Sequence, residues 1–93
     1  MTPGPETGID YHVNYRGPTY LAEVWYLCGA YDNLADAQAA LAKRIASDLD
    51  AAVEAGSEWR LVAVYKAEIV AVIEHMLLTG NGVEAVAPRV DKK

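Results

Sequence analysis

Residues 58–79 read EWRLVAVYKAEIVAVIEHMLLT, and how this stretch folds decides the architecture. Val62, Val64, Ile69, Val70, Val72 and Ile73 give it a density of β-branched side chains that favours strand over helix. Two strands turning near Lys66 and Ala67 fit this pattern, with residues 74–79 as a single helical turn beyond them. The turn holds no Gly, Pro or Asn, so a continuous buried helix from Leu61 to Leu78 stands as the alternative.

Upstream, the pattern is cleaner. Ile9, Tyr11, Val13 and Tyr15 alternate with Asp10, His12, Asn14 and Arg16, the period of a half-buried strand. Gly17 and Pro18 supply turn chemistry, and residues 20–30 resume as a second strand, so a β-hairpin is expected. Asp32 or Asn33 serves as a helix N-cap, Asp36 suits the positive end of the helix dipole, and Gly56 is a stop, which sets a helix over residues 34–55. Leu34, Ala37, Leu41, Ile45, Leu49, Ala52 and Val53 form its apolar stripe. The expected fold is therefore α+β: an antiparallel sheet of about four strands in ββαββ order, with one long amphipathic helix packed on one face. Residues 1–8 read as a tail, 9–80 as the single domain, and 81–93, after the break at Gly80-Asn81-Gly82, as a C-terminal tail.

At 93 residues the chain has room for one core, and folding hides roughly 60–70% of the surface of a chain this size. A hydrophobic fraction of 53% is too high for intrinsic disorder. Eight Lys and Arg against thirteen Asp and Glu leave a net charge of −5, which argues against direct nucleic-acid binding. The single cysteine, Cys28, has no internal partner for a disulfide. With no signal-peptide pattern and no apolar run of about 18 residues, a cytoplasmic location without membrane contact is expected.

Catalytic chemistry finds no foothold in the pattern. His12, His75 and Cys28 are single residues in separate elements, without the paired spacing of a metal site. Nucleophilic catalysis needs a base beside the nucleophile, yet Cys28 lies in an apolar strand and Ser47 and Ser57 in a helix and its exit loop, while Gly80 and Gly82 lack the lysine and helix start of a phosphate loop. A protein that is not an enzyme, with no metal and no cofactor, is expected.

Charge and aromaticity are more informative. Asp32, Asp36, Asp48, Asp50 and Glu54 lie on the helix and its ends against only Lys43 and Arg44, either as a solvated face or as a stripe that engages a basic partner. The chain has six Tyr, two Trp and no Phe, so every aromatic carries a polar handle, as interface residues do. The same residues could equally build a core in which Tyr stands where other proteins use Phe. The candidate contact set is Asp32, Asp36, Asp48, Asp50 and Glu54 with Trp25, Tyr26 and Tyr31.

The segments DYHVNY, YLAEVWYL, ADAQAALAKRI, WRLVAVY and EIVAVIEHML, running from about Asp10 to Leu78, resemble in order and pattern small anti-CRISPR proteins of phages and mobile elements. That resemblance implies a non-enzymatic inhibitor in the bacterial host cytoplasm that binds a Cas effector complex and blocks DNA binding or activation. It carries no catalytic residue over to this chain. GAYDNLADAQAAL also looks like the strand-to-helix passage of SPOR domains, whose fold repeats the unit, and no second copy follows Gly56. The same passage is similar to arm-type DNA-binding domains of phage integrases, which are expected to be basic. The alternative function is a homo-oligomeric structural or regulatory module, a homodimer using the free sheet face with Trp25 and Leu27.

Overall fold

Strand β1 (Ile9–Arg16) keeps the alternation of its sequence, and it places Val13 in the core with Tyr11 and Tyr15 packed around it. A computed structural model describes residues 8–17 and 24–86 of the chain. After β1 come β2 (Tyr26–Tyr31), helix α1 (Leu34–Asp50), β3 (Glu58–Tyr65), β4 (Glu68–Thr79) and β5 (Gly82–Ala85). The strands form one antiparallel sheet in the order β2-β1-β3-β4-β5, so the sheet has five strands and not about four. Helix α1 lies across β1, β2 and β3. Ala37 and Leu41 seat it on Val13, Trp59, Leu61 and Leu78.

The central strand explains why the deciding stretch was ambiguous. In β3, Trp59, Leu61, Val62, Ala63 and Val64 are all buried, on both faces, and a strand buried on both faces shows no alternation. The hairpin reading holds. Tyr65 pairs with Glu68 across a two-residue turn in which Lys66 and Ala67 have φ of 51° and 68°. Those left-handed values belong to the turn that matches strand twist, one normally built from Asn and Gly. The turn forms without them because the flanking strands are so strongly favoured.

Three further expectations are corrected. The helix ends at Asp50 rather than at residue 55. Ala52 takes φ 58°, its N–H bonds the Leu49 carbonyl at 3.1 Å and the Val53 N–H bonds the Asp48 carbonyl at 3.2 Å, a Schellman closure with alanine in glycine's usual place. What enforces it lies downstream: Val53 packs on the core, the Gly56 N–H bonds Leu78 O at 2.7 Å, and the Leu78 N–H bonds Ser57 O at 2.8 Å. Leu49, counted in the apolar stripe, is 45% exposed. Residues 74–79 are strand and not a helical turn, because 74–77 complete the ladder with β3 and 76–79 pair with β5. Residues 82–85, placed in the C-terminal tail, are β5, and the turn at Gly80 and Asn81 is a hairpin turn between β4 and β5.

At the first hairpin the described pairing runs as far as Tyr15 with Tyr26, and residues 17–25 connect β1 to β2. Most of that connection, including residues 20–23 of the expected second strand, lies outside the described residues, as does the expected N-terminal tail up to Thr7. At the helix start, Asn33 is the cap: its Oδ1 accepts the Asp36 N–H at 2.8 Å, and its side-chain amide donates to Asp36 Oδ2 at 2.9 Å.

The left-handed alanines yield a test. Left-handed backbone costs an L-residue about 1–2 kcal/mol, which glycine avoids. A variant carrying Ala52→Gly with Lys66→Asn and Ala67→Gly is expected to gain about 1–2 kcal/mol, seen as a melting temperature raised by at least about 4 °C. An unchanged or lower melting temperature would contradict the strain at these positions.

Candidate functional site

Two clusters of polar and aromatic side chains flank the sheet. On the helix side, Trp59 is fully buried, and its indole N–H donates to Asp48 Oδ2 at 2.6 Å. The same oxygen accepts Arg44 Nε at 2.9 Å. Arg44 lies over the Tyr15 ring at 5.0 Å, and Tyr15 tilts against Trp59 with ring centres 6.2 Å apart. Burial works to lower the pKa of Arg44, but its bond to Asp48 and the nearby Cys28, Asp48 and Tyr15 outweigh it, and the net shift is upward. Buried Ser57 closes the cluster, donating to Glu54 O at 2.9 Å and sharing a 3.2 Å hydrogen bond with Tyr15 Oη.

The other face carries a second cluster, built by register. Arg16 stands opposite Glu58, and Arg60 lies between Asn14 and His75 across three adjacent strands. One Arg16 terminal nitrogen donates to both Glu58 oxygens, at 2.9 and 3.0 Å. His75 Nε2 is 2.7 Å from Glu58 Oε1; since a carboxylate only accepts, the proton lies on Nε2. Arg60 Nε donates to buried Asn14 at 3.1 Å. Trp25 lies over this group, with the Arg16 and Arg60 guanidinium carbons 4.3 and 4.2 Å from its ring centre and His75 edge-on at 5.7 Å. Burial acts to raise the pKa of Glu58, but hydrogen bonds from His75 and Arg16 reverse that, and the carboxyl sits below its ordinary range. For Arg60, burial and the charge of Arg16 both act downward and prevail over Glu58.

The eight expected contact residues do not form one surface. Asp32 and Asp36 are exposed at the start of α1, Asp50 and Glu54 are exposed at and beyond its end, and Asp48 is turned inward on Trp59 and Arg44. Tyr31 packs against the core beneath the helix, Tyr26 is exposed on β2, and Trp25 is half-buried on the opposite face. Sequence reading missed Arg16, Glu58, Arg60 and His75 as a group. The available signal was the alternation that sends Asn14 and Arg16 to one side of β1, but pairing them with Arg60 and His75 requires the register.

The His75–Glu58 pair holds an imidazole in one orientation, as a general base requires. The hydroxyl of Ser57 is committed to the other cluster, and Cys28 accepts from Arg44 Nη1 at 3.3 Å. Among the described residues, no group of three or more His, Cys, Asp or Glu is arranged to hold a metal ion. Among them, no helix is long and apolar enough to cross a membrane. Comparison with protein-family profiles, curated proteins and solved structures returns no significant match.

Two outcomes follow from the clusters. Asp48→Ala leaves the buried indole N–H without an acceptor and is expected to lower unfolding free energy by about 1.5–3 kcal/mol, whereas Asp50→Ala changes it by less than about 0.5 kcal/mol. Equal effects in chemical denaturation would refute the assignment. Because the folded-state pKa of Glu58 lies below its unfolded value, its stabilisation is present above the ordinary glutamate range and is lost as pH falls through the folded value. Glu58→Gln should therefore destabilise at neutral pH and flatten the acid limb of the stability curve; parallel curves for the two proteins would count against the pair.

Proposed function

We propose that this chain is a non-enzymatic protein-binding domain that presents carboxylates to a partner with a basic surface. One observation carries this reading: the described arginines are engaged by partners within the fold, whereas the exposed carboxylates are not paired with a described cation. Arg16, Arg44 and Arg60 are turned onto Glu58, Asp48, Asn14 and aromatic rings. The exposed carboxylates of Asp32, Asp36, Asp50 and Glu54 have no cationic partner among the described residues. The outward field is thus more acidic than the ratio of acids to bases implies, and such a field speeds encounter with a basic surface while repelling nucleic acid. The narrower form of the proposal rests on the segment resemblance. In it the partner is a Cas effector complex, and the acidic surface occupies the groove that receives DNA, in the cytoplasm of a bacterial host.

The structure refines which residues should be altered. Asp48 is left intact, because reversing it would strike the Trp59 contact. A variant with Asp32→Lys, Asp36→Lys, Asp50→Lys and Glu54→Lys should fold and lose capture of the partner when used as bait in a bacterial lysate read by mass spectrometry. Equal capture by both baits overturns the acidic-surface reading. DNA binding by purified Cas effectors tests the narrower one: inhibition by the natural chain and not by the variant is expected, and no inhibition of any effector removes it.

A further inference from the structure

Among the described residues, the outer edge of β4 is unpaired over half its length. β5 pairs with Met76–Thr79, and its last bond runs from the Val86 N–H to His75 O at 2.7 Å. Upstream of His75, no described residue pairs with that edge. The unpaired half reads EIVAVI over residues 68–73, and Ile69, Val70, Val72 and Ile73 are 48%, 54%, 45% and 37% exposed. Helix α1 lies over β1, β2 and β3 and touches β4 at Leu78 and at Glu74, which accepts from the Gln38 side chain at 3.4 Å, beyond residues 68–73. An apolar edge strand with unbonded backbone groups is a template for another strand.

The sequence that follows Val86 carries Pro88, which has no N–H to give to a strand edge. The form of the edge selects a different occupant. The register with β3 passes from Val64↔Ile69 to Ala63↔Ala71, and from Val62↔Val72 to Leu61↔Glu74, so β4 carries two extra residues, Val70 and Ile73. Counted from the two-residue turn, the outward backbone groups fall on Ile69, Val72 and His75, three residues apart where a regular strand has two. The Val86 bond to His75 O agrees with that count. Such irregularity turns away an ordinary strand. A second copy carries the same irregularity and matches it.

We propose that residues 68–73 of β4 form a homodimer interface in which two copies pair antiparallel about a two-fold axis between Val70 and Ala71. Ile69 then faces Val72 of the partner subunit, each such pair exchanging both its N–H···O bonds, and Lys66 comes alongside Glu74 of the partner subunit. Cross-strand contact between Ile69 and Val72 of the partner subunit shields part of the apolar side chains in the same step. The surface differs from the Trp25 and Leu27 face expected from sequence, and it leaves Asp32, Asp36, Asp50 and Glu54 outside the contact.

Sedimentation velocity on the full chain tests this across a dilution series. A species of about 20 kDa, twice the 10.1 kDa chain, is expected. Val72→Lys, at an exposed position, should return it to one chain with unchanged circular dichroism. Lys66→Glu should weaken the dimer, and adding Glu74→Lys should restore it, which keeps the test decisive if Val72→Lys does not fold. A one-chain mass at every concentration, or dimerisation undiminished in Lys66→Glu, overturns the proposal. Partner capture through the acidic surface is read separately and should survive Val72→Lys.

Discussion

A fully buried indole must place its N–H against an acceptor, and in this fold the acceptor comes from the helix. The bond from Trp59 to Asp48 fixes α1 along its axis and in rotation relative to the central strand. The remaining helix-side contacts depend on that placement. Arg44 donates to the same carboxylate oxygen and reaches over Tyr15, while Ala37 and Leu41 come down on Val13 and Leu61. A buried polar group left unmatched costs about 1–3 kcal/mol, so the pair constrains the fold more through what its loss would expose than through its own net strength. Ser57 and Tyr15 finish the arrangement at the point where the chain leaves the helix for β3.

The parts of the fold visible in the sequence are those where a local pattern meets a single environment. β1 sends apolar side chains to the helix face and polar ones to the other, so its alternation can be read directly, and Asn33 and Asp36 announce the start of α1 through short-range chemistry. The missed features are those decided at long range. Alanine at 52 and the Lys66-Ala67 pair have no turn signature, and their left-handed backbone is imposed by packing of Val53 and by pairing of the strands on either side. β5 is too short to declare itself and exists because the turn at Gly80 and Asn81 returns the chain along the outer edge of β4.

The candidate surfaces follow the same division. That acids dominate the helix is a property of composition, but which of them face outward is not. Asp48 and Asp50 are two residues apart and have opposite fates, because Trp59 lies within reach of only one. Likewise Trp25, a contact candidate by residue type, spends much of its ring on two arginines supplied by β1 and β3. Residue chemistry nominates such groups, and the register between strands far apart in sequence assigns them.

The two tryptophans end up in environments that differ in kind. Trp59 is dry and bonded to a carboxylate beneath the helix, while Trp25 is partly wet and stacked on guanidinium groups beside an imidazole across the sheet. Their fluorescence therefore separates into a blue-shifted signal that reports whether helix and sheet are docked and a redder one that reports the state of the opposite face. With both emitters native to the chain, each side of the molecule can be followed without an added label.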